Sequence, residues 1–97
     1  MATYIMMGSF TPQGMDKIRG SPARIDTARE TMHSMGAELK AWYVVMGQYD
    51  YVAIIEAPND ETMARIVLSI GAHGNIRTQS MRAFTEQEYR QIITDLG

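Results

Sequence analysis

Few side chains in this chain have both the type and the setting to do chemistry. The two histidines, His33 and His73, stand far apart with no carboxylate at ligand spacing, so no metal site is expected. Cysteine is absent, which removes thiolate ligands, disulfides and cysteine nucleophiles. No serine has a base nearby in sequence, so a nucleophilic triad has no support. Gly8, Gly14 and Gly20 lack the spacing of a phosphate cradle. No cofactor is expected, and no catalytic residue stands out. What remains is an aromatic and cationic set: Trp42, Tyr43, Tyr51, His73 and Arg77. Aromatic rings supply apolar wall, arginine orients an anion, and imidazole is the one side chain whose ordinary pKa lies near neutrality. These five residues are the candidate ligand site.

Each of them also has a structural explanation. His73 lies in "AHGN", where it either ends a helix or borders a pocket, and His33 reads as a surface residue. Trp42 and Tyr43 are neighbours in a strand, so they occupy opposite faces, and one of them fills a core. Arg24 falls in the first turn of a helix, where a cation opposes the dipole, which implies a carboxylate partner. Arg77 and Arg82 take opposite faces of another strand and either pair with Glu56 or Asp50 or bind an anion. Thr11, Gln13 and Lys17 form a loop that can close one end of a cavity.

The elements that position these groups follow from periodicity. Residues 3–10 read as a strand that is apolar on both faces. A helix is expected from Ser21, as N-cap, with Pro22 first and Ile25, Ala28, Met32 and Met35 on one side. Gly36 ends it. Strands follow at 38–46 and 49–57, joined by a tight turn at Gly47-Gln48. A second helix begins at Asn59 or Asp60 and buries Met63, Ile66, Val67 and Ile70. A fourth strand spans 75–84. Thr85 to Glu88 is a capping box that opens a last helix. The order βαββαβ plus a helix predicts an α+β, ferredoxin-like fold: a four-stranded antiparallel sheet with both main helices on one face.

The 97 residues, 1–97, fit one domain. A net charge of −2 with scattered Lys and Arg argues against nucleic acid or an anionic membrane as partner. No stretch approaches the apolar length that spans a bilayer, and "MATYIMMGSF" lacks the basic start of a signal peptide. The lack of cysteine fits a reducing cytoplasm. The nine methionines suit adaptable packing in core and interface.

A sheet covered by helices on one face should alternate apolar and polar residues. This one does not: Ile5 and Met7 oppose Tyr4 and Met6, and Val52 and Ile54 oppose Tyr51, Ala53 and Ile55. A second copy of the same sheet is the simplest cover, giving a homodimer or higher homo-oligomer built as a dimeric α+β barrel.

"MGQYDYVAIIEAPND" resembles the signature of the GYD domain family, in Gly47, Tyr49, Asp50, Glu56, Ala57 and Pro58. "FTPQGMDKIRGSPAR" is similar to the family's Thr-x-x-Gly loop, and "GNIRTQSMRAFTEQE" to its Gly-Asn-x-Arg-Thr strand. The resemblance covers essentially the whole chain and implies a dimeric α+β barrel of unassigned biochemical role. Two function classes follow. One is a small-molecule-binding or regulatory homo-oligomeric module, similar to the ligand-sensing domains of feast/famine regulators. The other is a cofactor-independent dimeric-barrel enzyme (monooxygenase, isomerase or decarboxylase type) acting on a small aromatic or dienone-like compound.

Overall fold

The computed structural model describes residues 1–97. Strand β1 (Ala2–Phe10) leads into a short helix α1 (Pro12–Asp16), a 3-10 turn (Ile18–Gly20) and helix α2 (Ser21–Ser34). Strands β2 (Glu38–Val44) and β3 (Tyr51–Ala57), helix α3 (Asp60–Gly71), strand β4 (Ile76–Ala83) and helix α4 (Glu86–Leu96) complete the chain. The sheet order is β2-β3-β1-β4, with every neighbouring pair antiparallel. This is the ferredoxin-like α+β arrangement, with β1 and β3 central.

The core lies between the sheet and the two long helices. Tyr4 and Met6 of β1, Tyr51, Ala53, Ile55 and Ala57 of β3, Met32 of α2, and Met63 and Ile66 of α3 are buried together. Ala28, Met35, Val67 and Ile70 pack around them, as the helical spacing predicts. Asn59 caps α3 by accepting from the Thr62 N–H at 2.9 Å. Thr85 and Glu88 cap α4 reciprocally. That backbone hydrogen bond to Glu88 also holds its carboxyl below the usual range.

Two local expectations are corrected, and one irregularity adds to them. Ser21 does not cap α2: the 3-10 turn runs directly into the helix, so Ser21 is already helical, and Gly20 precedes it without a side-chain cap. The link between β2 and β3 is longer than a two-residue turn. Tyr49 and Asp50 lie in it, and Val45 N–H bonds to Asp50 O at 2.9 Å to close it. Gly47 within this link has φ +139°, in the region that favours glycine. Finally, the β2–β3 register shifts between Leu39 and Ala41, a bulge with no signal in the residue types.

The bulge decides facing. Leu39 opposite Ile55 and Trp42 opposite Ala53 both turn to the helices, while Ala41 opposite Ile54 and Tyr43 opposite Val52 turn to the uncovered face. On that face the registers align Ala41, Ile54, Ile5 and Met81 in one row, and Tyr43, Val52, Met7 and Gln79 in the next. Glu38, Glu56, Thr3 and Ala83 flank them at one end; Ser9 and Arg77 do so at the other.

Candidate functional site

Between the sheet and helices α2 and α3 lies a cavity of about 250 Å³. Antiparallel pairing puts the ends of β1 and β2 beside the starts of β3 and β4, and α2 begins and α3 ends at that same edge. Phe10, Trp42, Tyr51 and Ile76 therefore meet Ser21, Arg24, His73 and Asn75 around one space, with Met6, Met32, Leu39, Ala53 and Ile66 also lining it.

The aromatic wall is built around Tyr51. Its ring stacks on Trp42 with centroids 5.3 Å apart and sits 6.1 Å from Phe10 in a tilted contact. Gly8 makes this possible. A methyl group there would come within 2.1 Å of the Tyr51 ring. Tyr51 is only 3% exposed, and burial raises the pKa of its hydroxyl above the ordinary tyrosine value. That hydroxyl bonds to no group of the chain. Since no sealed side-chain N or O is left without a partner, the Tyr51 oxygen reaches accessible space along the cavity wall.

One side of the mouth is fixed by hydrogen bonds between α1 and the loop after α3. Thr11 N–H bonds to Asn75 O at 3.0 Å and its hydroxyl to Gly74 O at 2.6 Å. Gln13 Nε2 bonds to His73 O at 2.9 Å and Asn75 Oδ1 at 3.0 Å. This leaves the His73 imidazole without a hydrogen-bonded orienter. Arg24, half-buried, donates from Nη2 to Lys17 O at 3.0 Å. The expected carboxylate partner is not there: the chain's ion pairs are Arg29–Asp26, His33–Glu38, Lys40–Glu56 and Arg90–Glu86. No Asp or Glu lines the cavity.

Of the five candidate residues, the fold brings Trp42, Tyr51 and His73 to this cavity and leaves Tyr43 and Arg77 on the opposite face of the sheet. Side-chain alternation separates Arg77 from Ile76, which does line the cavity. Arg24, Phe10 and Asn75 are lining residues outside the five. Arg24 had a signal, a cation at an unfavourable helix end; Phe10 and Asn75 had none beyond their place at the ends of β1 and β4. Arg82 is occupied elsewhere, with its guanidinium 4.4 Å from the Phe84 ring centroid and 5.7 Å from that of Tyr4.

Asp50 proves structural. Its Oδ2 accepts the Phe10 N–H at 2.8 Å, and its own N–H bonds to Gly8 O at 2.8 Å, so it locks the β2–β3 link onto the end of β1. The Tyr49 hydroxyl bonds to Gln79. Among His, Asp and Glu side chains, no group of three is placed to hold a metal ion. No helix is long and apolar enough to cross a membrane.

A family model described as the GYD domain matches residues 4–93. A protein of Thermus thermophilus named "Glutamine synthetase and cystathionine beta-lyase binding protein" is 31% identical over 84 residues, covering 86% of this chain and 88% of that one. Among solved structures, the leucine response regulatory protein LrpA of Mycobacterium tuberculosis aligns with a TM-score of 0.64 at 19% identity. The alignment covers 87% of this chain and 51% of LrpA, so this chain spans about half of that protein. A hypothetical protein from Pyrococcus horikoshii aligns at 0.57 with 22% identity, covering 89% of this chain and 93% of that one. At these identities the likeness to both solved structures is one of fold.

Proposed function

From the premise that the chain belongs to the GYD domain family, we propose that it is a homo-oligomeric binding module that takes a small molecule between its sheet and helices and performs no chemistry on it. The observation that carries this reading is the cavity: a space walled by Trp42, Phe10, Met32 and Ile66, with a few polar groups, Tyr51, Arg24 and His73, around it. That is the ordinary composition of a ligand pocket. The naming of a relative as a binding protein for enzymes supports a regulatory setting in which this chain, too, engages a protein partner.

Catalysis is the second reading, favoured by the presence of a histidine, an arginine and a tyrosine around one cavity. Against it, His73 has no partner to fix its tautomer and no carboxylate lines the space, whereas general acid–base work needs a positioned and oriented group.

Self-association uses the uncovered sheet face. Its two middle rows present Ile5, Met7, Ala41, Tyr43, Val52, Ile54 and Met81. Glu38 and Arg77 occupy diagonally opposite corners. A two-fold axis in the plane of this face would lay the apolar rows of the two protomers against each other.

Two measurements test the proposal. Trp42 is the only tryptophan and lines the cavity, so its emission reports occupancy in a metabolite screen. A saturable change that Ala28→Phe abolishes, by filling the space, supports the site; the same response in that variant refutes it. Light scattering should show an assembly larger than one chain, and Ile54→Glu should reduce it to monomer. A folded wild-type monomer at micromolar concentration would sink the oligomer.

A further inference from the structure

The cavity carries enough chemistry to name the class of its ligand. Its volume of about 250 Å³ falls just below the roughly 300–1,000 Å³ of drug-sized sites, which limits the occupant to about one ring with a short substituent. The Trp42–Tyr51 stack and the tilted Phe10 ring offer faces and edges suited to an aromatic ring. Arg24 lines the same space. It uses Nη2 on one backbone carbonyl and meets no carboxylate of the chain. Its remaining N–H groups form a fork that matches a carboxylate in shape and charge. No acidic side chain stands in the lining to repel an anion. The Tyr51 hydroxyl, on a side chain that is almost wholly withdrawn from solvent and has no partner in the chain, supplies a hydrogen bond to a polar substituent on the ring.

We propose that the cavity binds a small aromatic carboxylate, its ring held against Trp42, Tyr51 and Phe10 and its carboxylate paired with Arg24 at the mouth. Arg24 then tolerates its place in the first turn of α2 because its counter-ion arrives with the ligand. This assignment rests on the small-molecule reading above and adds to it the charge of the ligand.

The test compares an acid with its uncharged counterpart. 4-Hydroxyphenylacetate and 4-hydroxyphenylacetamide are titrated separately into the intact protein, with Trp42 emission and calorimetry as readouts. The acid should bind at least about tenfold more tightly than the amide, the advantage of a charge-assisted pair over a neutral one. Arg24→Gln should erase that ratio, weakening the acid much more than the amide. Raising the salt concentration should narrow the ratio in the wild type. Should Arg24→Gln fail to fold, Arg24→Lys and the salt series carry the same comparison, since lysine keeps the charge and loses the fork.

Equal binding of acid and amide in the wild type, insensitive to salt, would overturn the carboxylate assignment and leave the cavity reading standing. An unchanged ratio in folded Arg24→Gln would overturn the role of Arg24. A lack of saturable binding by either compound would overturn the aromatic-carboxylate assignment, and the metabolite screen on Trp42 would then decide the cavity itself.

Discussion

Gly8 offers a sharp test of the aromatic wall because the sign of the effect is at stake. Alanine in place of glycine within a strand ordinarily stabilises, by roughly 0.5–1 kcal/mol, through the entropy of the unfolded chain. At position 8 the added methyl would sit 2.1 Å from Tyr51 Cε1, 2.2 Å from Cζ and 2.5 Å from Oη. Ordinary contact lies well beyond these distances, so the ring must move. It has little freedom to do so, with Trp42 stacked at 5.3 Å and Phe10 at 6.1 Å. Overpacking of this kind costs about 1–3 kcal/mol, enough to outweigh the entropic gain. Gly8→Ala is therefore expected to destabilise by about 1–2 kcal/mol, lowering Tm by about 4–16 °C for a chain of this size. Urea unfolding at fixed protein concentration measures it. A double-mutant cycle identifies the cause: in a Tyr51→Ala background the same substitution should become neutral or stabilising, a coupling of at least about 1 kcal/mol. If Gly8→Ala stabilises the otherwise wild-type chain, or if the two changes are additive, the ring does not lie where the structure puts it.

Three further outcomes are expected. Gly47→Val should cost about 1 kcal/mol or more by backbone strain alone, because φ is +139° and nothing lies within 4 Å of the added carbon; a urea midpoint shift worth under about 0.3 kcal/mol would refute this. Asp50→Ala should cost about 1.5–3 kcal/mol and speed amide exchange at Phe10, whereas Asp50→Asn, which keeps an acceptor, should recover part of the loss. The pKa values of Tyr51 and Tyr4 are raised in the folded state, that of Tyr51 by burial and that of Tyr4 by burial and then the Asp60 carboxylate. Their contribution to stability is therefore complete below the ordinary tyrosine pKa of about 10 and is lost above it; Tyr51→Phe should flatten the alkaline fall in Tm.

Much of this architecture was legible because it rests on local rules. The stripes of α2 and α3, the cap at Asn59, the capping box at Thr85 and the φ of +79° at Gly36 each follow from residues a few positions apart. The two-sided apolar character of β1 and β3 was legible for the same reason. The site was harder to read, since it depends on register. The bulge between Leu39 and Ala41 settles which of Trp42 and Tyr43 meets the helices, and no residue type there announces it. Arg77 missed the cavity by one position of strand alternation. Asp50 and Tyr49 looked like the start of a strand because aromatic and apolar neighbours surround them; the Phe10 N–H, 40 residues away in sequence, recruits Asp50 into the connection instead. The Ser21 cap failed because a 3-10 turn in front of a helix changes which residue is first.

The central place of β1 also has a kinetic consequence. β1 pairs with β3 on one side and with β4 on the other. The β2–β3 pairing closes a loop of only about seven residues, whereas joining β1 to β4 closes one of roughly 65, a difference of about 2 kcal/mol in chain entropy. The hairpin should therefore nucleate early, and the β1–β4 ladder should zip last. Until it does, "TYIMM" exposes an unpaired edge rich in apolar side chains on both faces, the kind of edge that other chains pair with during refolding. Refolding yield should consequently fall as protein concentration rises, even where the native state is fully stable.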